Sequence, residues 1–244
     1  MRIIAHRGAS GEFPENSLLA FEQAIIQGAD GIELDVHYHD ESGQFIVIHD
    51  RFLDTTTNGQ GHYNQYSLTE LTQYTLGKNQ QLITLEQALA FIAGRVFVNI
   101  EVKTSVSDSS VINNQLTALE KTLDSALINH HFSHQQFLLS SFNHHLIAVS
   151  KQFMPNVNTA ALIAHNPIDK TSFAAKLHCN SVNQVIDCLD KAFIENAHKQ
   201  GLEVWVYTVD RLEDIAFCQQ LKVDAIFTNF PKRTRQRLNY CKDS

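Results

Sequence analysis

Short apolar runs alternate with amphipathic stretches along the whole chain. Residues 2–5 form an apolar run that ends at His6, and a loop carrying Gly8 and Gly11 follows. From about residue 15 to 27, Leu18, Leu19, Phe21, Ile25 and Ile26 lie on one broad face at helical spacing, with Gly28 as a C-terminal stop. Over 31–36 the period changes to that of a strand, Ile32, Leu34 and Val36 alternating with Glu33, Asp35 and His37. On an open sheet the polar set would face water; in a closed barrel it faces the lumen or its rim.

The step from Val36 to Phe45 is too short for a crossover helix, and Asp40-Glu41-Ser42-Gly43 in its middle has turn composition. It predicts an antiparallel hairpin, and a turn centred near Ser42 brings His49 back roughly opposite Asp35. A polar loop is expected over 54–61. Ser67-Leu68-Thr69-Glu70 and Thr84-Leu85-Glu86-Gln87 carry capping-box chemistry for two helix starts, the second helix ending near Gly94. The strand expected over 96–102 sets Phe97, Asn99, Glu101 and Lys103 against Val96, Val98, Ile100 and Val102. Beyond it the pattern predicts helices over 109–129, 143–151, within 167–176, 190–200, 212–221 and after Pro231. Strands are expected between them at 137–141, 158–163, 180–183, 203–209 and 224–228.

Leaving out the hairpin return, eight strands each have helical sequence behind them. In a chain of 244 residues that predicts an α/β fold, a (β/α)8 TIM barrel with an extra β-hairpin after strand 2, in a single domain spanning 1–244. A doubly wound sheet normally shows a glycine-rich fingerprint after its first strand, which His6-Arg7-Gly8-Ala9-Ser10-Gly11 does not fit.

Composition narrows the partners. Hydrophobic residues at 43% and charged residues at 18% supply a sizeable core. A net charge of -7 argues against nucleic acid. The cluster Lys232, Arg233, Arg235 and Arg237 reads as the charged face of a terminal helix. Cys179, Cys188, Cys218 and Cys241 show no pairing pattern, no apolar stretch approaches membrane-spanning length, and a cytoplasmic protein without integral membrane association is expected. A homodimer is compatible with the sequence.

The candidate chemistry gathers where barrel strands end. His6 and His49 are imidazoles that can serve as acid and base near neutral pH. Glu33 and Asp35, one residue apart on a strand, point the same way, and Glu101 ends the next strand. Three lumen-facing carboxylates repel one another unless a divalent cation joins them, and an all-oxygen set favours magnesium, calcium or manganese. Arg7 and Lys103 would then bind the non-bridging oxygens of a phosphate. Together these groups are what hydrolysis of a phosphodiester requires. Trp205 shares the strand face of Tyr207 and is either lumen packing or a substrate contact. Asn16 is either an anchor for the site loop or a helix cap. His37-Tyr38-His39 resembles a zinc HxH pair but reads as hairpin surface histidines, and His130, His131 and His134 as an exposed helix end.

These residues resemble the glycerophosphodiester phosphodiesterase family. The resemblance rests on His6-Arg7-Gly8 with Pro14-Glu15-Asn16-Ser17, Gly31-Ile32-Glu33-Leu34-Asp35-Val36, His49-Asp50 and Asn99-Ile100-Glu101-Val102-Lys103. Ser140-Ser141-Phe142 and Tyr207-Thr208-Val209 continue it over nearly the whole chain. It implies a TIM barrel that releases glycerol 3-phosphate and an alcohol from a small glycerophosphodiester, the substrate's own hydroxyl attacking first through a cyclic phosphate. It implies His6 and His49 as the acid/base pair, Glu33, Asp35 and Glu101 as metal ligands, and Arg7 and Lys103 on phosphate. The family often has Arg at Thr55, Pro at Ile83, Trp at Tyr207 and Asp at Asn229; Tyr207 keeps an aromatic face for the glycerol moiety. A lysophospholipase D, a silent binding barrel and an enolase-like barrel are the competing readings.

Overall fold

The computed structural model describes residues 1–240; Cys241 lies outside the described residues. The first apolar run forms β1 (Arg2–His6), after which the chain turns back through Gly8. Gly8 has φ +80°, and a Cβ there would lie 2.7 Å from the carbonyl carbon of Ala20. Only glycine lets α1 (Leu18–Ile26) dock this closely under the end of β1. The helix starts later than residue 15 because Asn16 is left-handed (φ +54°), and Ser17 is the cap, its hydroxyl accepting from the Ala20 amide.

Strands β2 (Gly31–His39) and β3 (Gln44–Val47) form the expected hairpin. The register pairs His39 with Gln44 and Val36 with Val47, so the turn is centred between Glu41 and Ser42. The Ile48 amide therefore donates to the Asp35 carbonyl, and His49 lies one residue beyond the position opposite Asp35. The cause is a loop closed by the Gly43 amide on the His39 carbonyl, one residue tighter than a turn centred on Ser42.

The chain next builds a flap over this hairpin: α2 (Leu68–Leu71), a single capped turn, and the small antiparallel pair β4 (Thr75–Gly77) and β5 (Gln80–Gln81). Its own apolar cluster of Ile46, Ile48, Leu53, Tyr63, Leu71 and Leu82 holds it down. The flap draws the hairpin histidines inward, correcting the surface assignment. His39 is fully buried; its Nε2 donates to the Tyr66 carbonyl (2.8 Å), and its Nδ1 accepts from the Ser42 amide (3.3 Å). His37 donates through Nε2 to the His49 carbonyl (2.9 Å).

After α3 (Leu85–Ile92), capped by Thr84 as its sequence predicts, the chain alternates strictly. The strands are β6 (Phe97–Val102), β7 (Phe137–Ser141), β8 (Asn158–Ile163), β9 (Ser181–Val185), β10 (Glu203–Tyr207) and β11 (Ala225–Thr228). The helices after them are α4 (Ser109–Asn129), α5 (His144–Phe153), α6 (Ser172–Lys176), α7 (Lys191–Lys199), α8 (Leu212–Leu221) and α9 (Pro231–Tyr240). Parallel pairing runs β1-β2-β6-β7-β8-β9-β10-β11 and returns to β1, closing an eight-stranded (β/α)8 barrel.

Alternation divides the buried side chains into two layers. Ile3, Leu34, Val98, Leu139, Val182 and Ile226 face the helices. Ile4, Leu138, Ala160, Trp205, Ala225 and Phe227 fill the lower lumen and close it, leaving the C-terminal strand ends as the open mouth. The basic residues of α9 are tied to the barrel: Arg233 donates to the Asp210 carbonyl, and Arg235 pairs with Asp30 (2.6 Å). Cys179, Cys188 and Cys218 are free thiols, and no helix among the described residues is long and apolar enough to cross a membrane.

Candidate active site

Because side chains alternate along β2, Glu33 and Asp35 both enter the lumen at its mouth. The β2–β6 register sets Glu101 beside Asp35 and Asn99 beside Glu33. Glu33, Asp35 and Glu101 are buried, and one carboxylate oxygen from each lies within 4.8 Å of the others. Among the described residues this is the one such acidic cluster.

Crowding three carboxyls out of water splits their acidities. Burial, then the charges of Asp35 and Glu101, raises Glu33 well above the ordinary carboxylate range. Burial and Asp35 likewise raise Glu101 to about 7, with Lys103 pulling the other way. Asp35 goes down: burial opposes its ionisation, but Lys103, Arg7, His49 and His6 together hold it at about 2.

The cations converge on the same carboxylates. Lys103, just past β6, places Nζ 3.0 Å from Asp35 Oδ1 and pairs with Glu101. Arg7 reaches Asp35 Oδ2 through Nε (3.2 Å) and Glu15 through Nη1 (3.0 Å), while its backbone N–H donates to Glu33 Oε2 (2.8 Å). Asn16 proves to be an anchor: its Nδ2 donates to Asp35 Oδ2 (3.0 Å) and its Oδ1 accepts from the Asp35 amide (3.3 Å).

Glu33 Oε1 is buried without a hydrogen bond, and Asp35 Oδ1 and Glu101 Oε1, equally buried, have only the shared Lys103 ammonium against them. Anionic oxygens left short of partners in this spacing fit a hard divalent cation.

The two histidines reach the mouth from different elements. His6 ends β1 with Nδ1 2.8 Å from Asn229 Oδ1; enclosure and the neighbouring Arg7 charge lower it to about 4. His49 follows the hairpin return with Nδ1 3.1 Å from Asp50 Oδ1 and its side chain 30% exposed. Tyr207, last residue of β10, donates its hydroxyl to the Ile163 carbonyl (2.7 Å) and meets Phe142 edge-on, with ring centroids 6.2 Å apart. Burial and the Glu101 charge raise its hydroxyl above the ordinary range.

Trp205 is not part of this gathering, which corrects the substrate-contact reading. It is 2% exposed, its Nε1 donates to Glu203 (2.8 Å), and Arg2 covers its ring at the closed end of the lumen. The shared strand face is real, but two residues along β10 separate mouth from floor. Asp210 is a residue that sequence reasoning passed over; its only signal was its place just after a barrel strand. Beside the carboxylates opens a cavity of about 410 Å³, with Glu101, Lys103, His37, Arg51, Tyr63 and Phe142 in its wall.

Comparison with known proteins identifies the family. The model of the glycerophosphoryl diester phosphodiesterase family matches residues 6–233. The chain is 30% identical over 238 residues to the glycerophosphodiester phosphodiesterase of Caldanaerobacter subterraneus subsp. tengcongensis, covering 94% of each. It is 33% identical over 246 residues to that of Bacillus altitudinis, covering 95% of this chain and 96% of the relative. In fold it matches an Oleispira antarctica phosphodiesterase solved with its product sn-glycerol-3-phosphate, with a TM-score of 0.88 at 23% identity over 98% of this chain and 97% of the other. A barrel whose mouth gathers acids, cations and imidazoles, matched by the family model from its first histidine to its last helix, belongs to the glycerophosphoryl diester phosphodiesterase family of enzymes.

Proposed function

We propose that the chain hydrolyses small glycerophosphodiesters to sn-glycerol 3-phosphate and an alcohol, using His6 and His49 as the acid/base pair and a divalent cation held by Glu33, Asp35 and Glu101. The observation that carries this reading is the trio of buried carboxylates within 4.8 Å, flanked by Arg7 and Lys103 and sensing both histidines. A bound magnesium, calcium or manganese ion would supply positive charge against the phosphate and offset negative charge developing on it.

The remaining work falls to the side chains. Arg7 and Lys103, now paired with Asp35, are placed to exchange those contacts for non-bridging phosphate oxygens. One imidazole takes the proton of the attacking hydroxyl, first the substrate's own through a cyclic phosphate, and the other gives a proton to the departing alcohol. Tyr207 and Phe142 offer an aromatic wall to the glycerol moiety. All these residues sit on one barrel, consistent with residues 1–244 acting as a single domain, and the free thiols suit a reducing cytoplasm.

The test is a panel of glycerophosphocholine, glycerophosphoethanolamine and a lysophospholipid, each with magnesium, calcium, manganese or chelator, following glycerol 3-phosphate. Metal-dependent release from the first two is expected. Turnover of lysolipid alone, release of choline phosphate, or equal activity in chelator would overturn the reading.

A further inference from the structure

We infer that Asn229, oriented by Asp210, is a positioning residue that fixes His6 in its Nδ1–H tautomer, so that Nε2 is the nitrogen that exchanges a proton with substrate. The inference deepens the histidine chemistry proposed above and rests on it. The three residues come from three neighbouring points of the rim: His6 ends β1, Asn229 follows β11, and Asp210 follows β10. The β1–β11 register, with Ala5 beside Thr228, brings the first two together.

Chemical identity settles the direction of each bond. One arm of the Asn229 amide lies 2.6 Å from Asp210 Oδ2. A carboxylate only accepts, so that arm is the NH₂ group. The arm turned to His6 is then the carbonyl oxygen, 2.8 Å from Nδ1. The Ser10 hydroxyl lies 2.7 Å from the same oxygen and 2.6 Å from the His6 carbonyl, so its single hydrogen is shared between two acceptors and the Asp210 contact alone decides the assignment. A carbonyl oxygen has no proton to give, so Nδ1 carries the hydrogen, and in the neutral ring Nε2 keeps its lone pair.

Asp210 is itself pinned. Its Oδ1 accepts from the Thr228 hydroxyl (2.9 Å) and from the Asn229 backbone N–H (2.8 Å). The amide cannot turn over without placing its oxygen against the Asp210 carboxylate. An amide in this place orients the imidazole as a carboxylate would, while the full negative charge stays one residue further away.

A purely structural role, tying the seam where β1 meets β11, would leave the tautomer indifferent. The test is long-range ¹H–¹⁵N correlation of histidine-labelled full-length protein at pH 8, the His6 signals being identified by their loss in His6→Gln. A protonated Nδ1 and an unprotonated Nε2 are expected in the wild type. Asn229→Ala should mix or reverse the tautomers and lower kcat on glycerophosphocholine about 10²-fold with KM within about threefold. The double variant Asn229→Asp/Asp210→Asn, which keeps an acceptor facing Nδ1 and a donor between the two side chains, should restore the tautomer and bring kcat to within about tenfold of wild type. A wild-type His6 protonated at Nε2, or an Asn229→Ala protein with unchanged tautomer and kcat, would sink the inference. The wild-type spectrum alone tests it if the alanine variant does not fold. Absence of wild-type turnover would count against the proposed activity and not against the tautomer assignment.

Discussion

Glu101→Gln should make the metal-free protein more stable and the enzyme nearly inert, with a pH dependence that identifies the cause. Burial and Asp35 raise the Glu101 carboxyl from 4.5 to about 7, so its ionised form is disfavoured in the folded state by roughly 3 kcal/mol. The folded protein therefore holds a proton that the unfolded chain releases near 4.5. This part of the stability is intact below pH 4.5 and is lost as pH rises toward 7. Glutamine removes the penalty but also the charge that pairs with Lys103, which keeps Asp35 at 3.0 Å, so the net gain above pH 7 is about 1–3 kcal/mol. For a chain of this size that is about 2–12 °C in Tm. Thermal melts in chelator at pH 5 and pH 8 measure it: the variant should exceed wild type at pH 8 and gain little at pH 5. Added magnesium, calcium or manganese should stabilise the wild type more than the variant. A variant that is less stable at pH 8, or whose gain is the same at both pH values, would refute the reasoning.

His49 is partly exposed and its ring bonds only Asp50, so His49→Ala should leave Tm nearly unchanged and lower kcat about 10²- to 10⁴-fold; near-wild-type turnover with saturating metal would remove it from the acid/base pair. Because Glu101 and Glu33 must lose protons to bind a cation, calorimetric affinity for magnesium should rise at least severalfold from pH 6 to 7, Glu101 releasing one proton and Glu33 adding to the slope, and a Kd flat over that range would contradict the assigned ligands. Trp205→Phe should cost about 1–3 kcal/mol by loosening the lumen floor while leaving KM unaltered; a raised KM at unchanged Tm would place the indole in the substrate site.

The strands and helices were legible because one face of each is apolar with an unbroken period, as in Ile32, Leu34 and Val36 of β2 or Leu85, Ala88, Leu89 and Ile92 of α3. Of the flap between His49 and Thr84 only the capped helix start at Ser67 was legible, since the rest is held by a cluster of scattered apolar residues, Leu53, Tyr63 and Leu71 among them, that no local period announces. His39 reads as polar in a hairpin, yet it is fully buried because Tyr66 and Ser42 satisfy both ring nitrogens. The hairpin register was displaced by one residue because composition locates a turn without locating its centre.

By itself the sequence determined the eight-unit barrel, the strand-end position of His6, Glu33, Asp35, Glu101 and Lys103, and the family to which they point. Those follow from periodicity and from residue types, both local properties. The tertiary structure decided which side chains meet: Asn16 bracing Asp35, Trp205 sealing the floor instead of meeting the mouth, and Asp210 turning Asn229 toward His6. Asn229 and His6 are joined across the seam where the last strand pairs with the first. Closure of the barrel brings the first and last strands together, and no pattern within one segment carries that information.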